Sequence, residues 1–129
     1  MSLPEFFNPP TMAKPVGQYS HGGFVKAGSD MIFIAGQVGM RPDGTLPATI
    51  EEQADEAYAN VVRLLAAKGM TPANLVKTNA FLAVGQPAMA VRAARVRHFG
   101  DAAPASTFIY VPQLIEPKYL IEVEGVAVR

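Results

Sequence analysis

Two glutamates inside the most hydrophobic segment of the chain are the first candidates for chemistry. Glu122 and Glu124 lie within residues 119–128, whose other side chains are typical of a buried strand. Side chains alternate between the two faces of a strand, so both carboxylates point to the same side. Removing a carboxylate from water is costly unless hydrogen bonds compensate it. The strand therefore has one solvent-exposed face, or one of the two glutamates is retained for acid–base chemistry.

Two glycine-containing segments could shape a ligand pocket. Tyr19, Ser20 and His21 lie between glycines, which allow close approach of a ligand, although a tight turn capped by tyrosine explains the pattern equally. Gly36 and Gln37 follow a hydrophobic run and leave free backbone N–H groups, unless they form a simple bulge. Because Ser20 and His21 are adjacent on an extended segment, they make a poor nucleophile–base pair.

The basic residues of the second predicted helix have a simpler interpretation. Arg92, Arg95 and Arg97 are predicted to form a solvated helix face, because a chain of zero net charge offers little attraction to a phosphate backbone. His98, near the C-terminus of that helix, is predicted to interact with the helix dipole.

Composition sets the class of protein. The chain has 129 residues, of which 50% are hydrophobic, enough for one domain with a real core. With zero net charge, we expect neither a nucleic-acid nor a membrane partner. With no cysteine and two histidines, we expect no metal site and no cofactor. No apolar run approaches the ~18 residues of a membrane span and no secretory signal is evident, so we expect a cytoplasmic protein.

The residue pattern predicts a single α+β domain over residues 1–129, with element order ββαβαββ and an extended, proline-rich arm over residues 1–18. A capping-box pattern predicts that the first helix starts at Thr49 and runs to about Lys68. Its predicted buried stripe is Ala54, Ala57, Val61, Leu64 and Leu65. The other predicted elements are a helix over about 87–99 and strands over about 22–27, 31–36, 75–84, 105–111 and 119–128.

The sheet is predicted to need cover from a second copy of the chain. Two helices can cover only one face of such a sheet. Residues 31–35 and 107–111 are nevertheless apolar on both faces, which requires cover on both sides. We therefore expect the protein to self-associate through the open sheet face.

Several short motifs occur in an order and spacing that resemble a known family. They are Tyr19-Ser20-His21, Ala35-Gly36-Gln37-Val38-Gly39, Glu52-Gln53-Ala54, Asn60-Val61, Val76-Lys77-Thr78, Phe99-Gly100, Pro104-Ala105 and residues 121–128. From about Asn8 to Arg129 the chain resembles the YjgF/RidA family, also known as the endoribonuclease L-PSP or liver perchloric-acid-soluble protein family.

The resemblance implies a fold and a set of site residues. It implies a chorismate-mutase-like homotrimer with two helices on one face of each sheet, a central β-barrel and ligand sites in the clefts between subunits. The best-known members hydrolyse reactive enamines and imines made from amino acids. By resemblance, the catalytic residue is Glu122, which holds or activates water, and Tyr19, Gly36 and Gln37 shape the substrate pocket.

One departure from the family pattern concerns the substrate carboxylate. The family's arginine after Pro-Ala is replaced here by Ser106, which we include among the substrate-binding residues. Losing a charged hydrogen bond of about 1.5–3 kcal/mol weakens binding of an imino acid. One interpretation is therefore a hydrolase for a less anionic small molecule, anchored by Glu122 and Ser106. A second is ordinary imino-acid deamination with an arginine from elsewhere, such as Arg41 or Arg129.

Two further alternatives stay open from the sequence. One is a protein of the same fold that binds a small molecule without turning it over. The other is the endoribonuclease activity in the family's name, which the absence of paired acid–base residues on a basic surface disfavours.

Overall fold

A computed structural model describes residues 3–129, so the first two residues of the predicted arm lie outside it. Over the described range the elements are β1 (Glu5–Phe7), β2 (Gly22–Phe24), β3 (Met31–Gln37), α1 (Ile50–Ala66), a short 3-10 helix (Pro72–Asn74), β4 (Leu75–Ala83), α2 (Ala88–Phe99), β5 (Ala105–Val111) and β6 (Ile121–Val128).

Four strands form the main sheet, in the order β3-β6-β4-β5. β6 is antiparallel to both β3 and β4, whereas β4 and β5 are parallel and joined through α2. This is the predicted α+β class, with one difference at its start. The first predicted strand, now β2, pairs with β1 of the arm in a separate ribbon, and the lack of a side chain at Gly22 leaves space for the Phe7 ring.

Helix α1 begins and ends close to its predicted bounds. The Thr49 side chain accepts a hydrogen bond from the Glu52 backbone N–H at 3.3 Å, as the capping box requires. The Glu52 carboxylate accepts instead from Arg41 at 2.9 Å. Beyond the last turn, Gly69 has a φ of 70°, a left-handed conformation that favours glycine.

One face of α1 packs on the sheet and on α2. The predicted stripe is buried except for Leu64, which is 39% exposed, so that part of the prediction is wrong. Leu64 lies about 100° around the helix from Leu65, which places it outside the buried sector.

A hydrogen bond joins α2 to α1. His98 Nε2 of α2 lies 2.8 Å from Asp55 Oδ1 of α1, and this hydrogen bond lowers the pKa of Asp55. His98 thus binds a carboxylate of the neighbouring helix, a partner that its position at the end of α2 did not predict.

The two faces of the main sheet differ in chemistry. Ile121 and Val123 of β6 are fully buried beneath the helix layer, while Glu122 lies on the opposite face. On that opposite side Phe33 is 76% exposed and Met31 is 51% exposed, which are the side chains expected to need cover. In the described part of the chain, no helix is long and apolar enough to cross a membrane.

Candidate functional site

The two glutamates of β6 have different surroundings. The Asn79 side chain on β4 donates a hydrogen bond to Glu124 Oε2 at 3.0 Å. Within residues 3–129, no hydrogen bond or ion pair engages the Glu122 carboxylate. Both side chains border an open groove together with Phe81, Gln113, Leu114 and Ile115. Glu124 is therefore held by the sheet, whereas the Glu122 carboxylate has no hydrogen-bond partner among the described residues.

A bulge brings the backbone of Gly36 against Glu122. The register between β3 and β6 shifts by one residue between Ile34 and Gln37, so two residues of β3 oppose one of β6. A Cβ at Gly36 would overlap the Glu122 carboxylate, which shows how closely that side chain packs on the main chain. The Gln37 side chain donates to the Ala35 carbonyl at 3.0 Å and so folds back on its own strand. A side chain at position 36 would therefore fit only if the Glu122 carboxylate moved away.

The segment carrying Tyr19 is fixed to the loop that enters β5. Gln18 Nε2 donates to the Gly100 carbonyl at 2.7 Å, and Ser20 Oγ donates to the Ala103 carbonyl at 2.7 Å. His21 Nε2 lies 2.7 Å from the Ala13 carbonyl, so Ser20 and His21 have separate backbone partners. These hydrogen bonds fix the segment in place and position Tyr19 beside the start of β5.

Ser106 lies at the start of β5, in a cavity of about 370 Å³. Its hydroxyl receives a hydrogen bond from Thr78 Oγ1 at 3.2 Å, which leaves the Ser106 proton available to a ligand. The cavity is lined by Val16, Gly17, Gln18, Tyr19, Arg92, Arg95, Ser106 and Phe108. A narrower recess that shares four of these residues adjoins it and reaches Tyr58.

The site residues proposed from the sequence therefore fall into two groups within one chain. Tyr19 and Ser106 share the cavity beside α2. Glu122 and Gly36 contact each other on the open sheet face, in a different depression. Gln37 adjoins the second group through the bulge. A single chain does not bring the two groups into one pocket.

Arg41 and Arg129, the two candidate replacements for the family's arginine, are engaged elsewhere. Arg41 pairs with Glu52 at 2.9 Å, and Arg129 Nη1 donates to the Lys68 carbonyl at 2.8 Å. The cavity of Ser106 instead contains Arg92 and Arg95, two of the arginines predicted to form a solvated helix face. That prediction is wrong for Arg95, whose Nε is buried. The spacing of three residues between the two arginines was the available signal, since it places them on one face of α2.

Comparison with known proteins agrees with this architecture. Residues 10–129 match the family model described as Endoribonuclease L-PSP. The 2-iminobutanoate/2-iminopropanoate deaminase of Capra hircus is 33% identical over 117 residues, covering 88% of this chain and 82% of the relative. Among solved structures, the Rid-family protein YyfB from Yersinia pestis has a TM-score of 0.84 at 29% identity, over 98% of both chains.

A second solved structure adds a ligand. TdcF of E. coli, solved with bound serine, has a TM-score of 0.71 at 25% identity, covering 97% of this chain and 98% of TdcF. Because the family model covers nearly the whole chain, the protein belongs to the YjgF/RidA family, the endoribonuclease L-PSP family of that model.

Proposed function

We propose that the protein hydrolyses reactive imines or enamines in clefts between the subunits of a homotrimer, without a metal or cofactor. The observation that carries this proposal is the unbonded Glu122 carboxylate held against the bare backbone of Gly36. The activity named for the Capra hircus relative supports the reaction class, and the serine bound to TdcF supports a small-molecule ligand.

The proposed chemistry requires one acid–base group. Glu122 takes a proton from a water molecule as the water oxygen bonds to the carbon of a protonated imine and the C=N π pair moves to nitrogen. The proton then passes from Glu122 to that nitrogen, ammonia leaves, and the oxygen transfers its proton to the departing ammonia to give the carbonyl product and ammonium. Gly36 contributes by leaving room for both the carboxylate and the substrate.

The trimer accounts for the separation of the two groups of site residues. Self-association through the open sheet face would bury Phe33 and Met31, and it would let Tyr19 and Ser106 of one subunit face Glu122 of the next. Light scattering that found a stable monomer at micromolar concentration would contradict this arrangement.

The reaction is tested with imino acids generated in situ from amino acids by an oxidase, trapping the remaining imine as its semicarbazone. We expect wild-type protein to accelerate imine loss and Glu122→Gln to reduce that rate by about 100-fold or more. Glu124→Gln is the matched control, because Asn79 already holds that carboxylate. Circular dichroism would check that both variants remain folded.

Two results would contradict the proposal. If wild type and Glu122→Gln were equally inert while the protein still bound a small acid, the protein would be a binding module of the same fold. If wild type were inert and Ser106→Arg gained activity, the scaffold would be competent but its natural ligand would be another molecule. Neither histidine lines the Ser106 cavity or the Glu122 groove, so these sites do not favour ribonuclease chemistry.

A further inference from the structure

The arginines of the chain divide into two sets by their partners. Of the six arginines in the sequence, Arg41, Arg63, Arg97 and Arg129 each lie within 4.0 Å of a carboxylate. Within residues 3–129, Arg92 and Arg95 have no such partner. Both line the Ser106 cavity and its adjoining recess. Both arginines without a carboxylate partner therefore lie at one cavity, where a ligand could enter.

The wall of this cavity favours an anion in a second way. It includes no aspartate or glutamate, and the Nε of Arg95 is buried without a hydrogen-bond acceptor among the described residues. A buried guanidinium N–H without an acceptor is costly, so such a group is rare unless something binds it. An incoming carboxylate supplies that acceptor, and its charge matches the guanidinium.

Two further polar groups, Ser106 of the cavity and Tyr58 of the adjoining recess, can each donate a hydrogen bond to a ligand. Burial raises the pKa of Tyr58 to about 12, so its phenol stays neutral and adds no negative charge to the recess. Ser106 retains its proton for a ligand because it accepts from Thr78. Phe108 supplies an apolar wall. Such a lining suits a small acid with a short hydrocarbon side chain.

We propose that Arg92 and Arg95 form an anion-binding subsite beside Ser106, which selects ligands that carry a carboxylate. The positive charge that pairs with the ligand's carboxylate then comes from α2, whereas the family pattern places an arginine on β5. With this subsite, the substrate class of the proposed reaction narrows from imines in general to imino acids. Only the identity of the ligand as a substrate depends on the proposed function, since binding of an anion requires no turnover.

The test measures binding and turnover separately. Calorimetry with 2-oxobutanoate, the hydrolysis product of 2-iminobutanoate, is compared with its neutral amide. We expect wild type to bind the acid at least ten-fold more tightly than the amide, because only the acid can pair with the guanidinium groups. Arg92→Gln/Arg95→Gln should lose about ten- to 100-fold of the affinity for the acid and almost none for the amide. The KM for 2-iminobutanoate should rise in parallel.

Arg97→Gln is the matched control, because that arginine lies on the same helix but pairs with Asp55 at 3.1 Å. The subsite is overturned if the double variant binds the acid like wild type, if Arg97→Gln loses as much affinity, or if wild type binds the acid no better than the amide. If the acid binds through Arg92 and Arg95 but no imine is hydrolysed, the subsite stands and the proposed reaction fails. If imines are hydrolysed equally by wild type and the double variant, the reaction stands and the subsite fails.

Discussion

Gly36 lies near the end of β3 and Gly39 lies just beyond it, yet the neighbours of the two glycines are of different kinds. A Cβ at Gly36 would meet the carboxylate end of the Glu122 side chain, which can rotate away. A Cβ at Gly39 would meet the main chain of Gln53 in helix α1, which cannot move without shifting the helix. The first glycine therefore serves the proposed site, and the second serves the packing of α1 on β3.

We expect Gly36→Ala and Gly39→Ala to affect different properties. Gly36→Ala should change the free energy of unfolding by less than about 1 kcal/mol but displace Glu122, so that imine turnover falls at least ten-fold. Gly39→Ala should cost about 1–3 kcal/mol of stability through overpacking against the Gln53 backbone. Urea unfolding and the semicarbazone assay measure the two effects. Equal losses of stability in both variants would show that Gly36 is a packing residue too.

At the scale of elements, one buried side chain holds the strand that carries Glu122. Gln53 of α1 is only 1% exposed, and its Nε2 donates to the carbonyls of Pro47 at 2.9 Å and Lys118 at 3.0 Å. Its Oε1 accepts from the Leu120 backbone N–H at 2.9 Å. A single amide thereby fixes the start of β6 relative to the first turn of α1.

Gln53→Met keeps the length of this side chain and removes all three hydrogen bonds. Because the Leu120 N–H and two carbonyls would be left unsatisfied, we expect a loss of about 2–4 kcal/mol in the free energy of unfolding. Glu51→Met, at the exposed neighbouring position, should change stability by less than about 0.5 kcal/mol. Urea denaturation of both variants decides this, and similar midpoints would mean that the network adds nothing to stability.

Sequence patterns predicted those elements whose signals are local. The bounds of β5 follow from its apolar run, and the start of α1 follows from the Thr49 cap. Other features depend on partners distant in the chain, which no local pattern reveals. β1 has three residues and pairs with β2, where Gly22 leaves space for the Phe7 ring. In the same way, the role of Gln53 and the burial of Arg95 Nε depend on tertiary packing.

The candidate site was predictable only in part for the same reason. Alternation along β6 placed Glu122 and Glu124 on one face, as found. The assignment of chemistry to Glu122 rested on resemblance, and the bond from Asn79 that distinguishes the two glutamates was not readable from the sequence. Single-chain geometry also could not join Ser106 to Glu122, because they line different depressions.

At the scale of the whole molecule, the proposed trimer predicts that two impaired variants restore activity when mixed and assayed at a substrate concentration below the KM of the arginine variant. Glu122→Gln lacks the acid–base group, and Arg92→Gln/Arg95→Gln lacks the anion subsite. If each cleft takes one group from each of two subunits, random mixing in equal amounts leaves about a quarter of the clefts with both groups intact. Imine hydrolysis by the co-refolded mixture measures this. A mixture no more active than its components would place the complete site within one subunit, and Glu122→Gln co-refolded with itself is the control.

The position of β6 in the sheet has a consequence for how the protein is made. β6 follows every other strand in the chain but lies between β3 and β4, so it joins two otherwise separate parts of the sheet. During synthesis from the N-terminus, β3 and the β4–α2–β5 unit remain unconnected, with open edges, until residues 121–128 have left the ribosome. Glu122 arrives with that same segment. Nascent chains are therefore most prone to aggregate just before β6 completes the sheet. A folding intermediate that lacks β6 also lacks the Glu122 carboxylate.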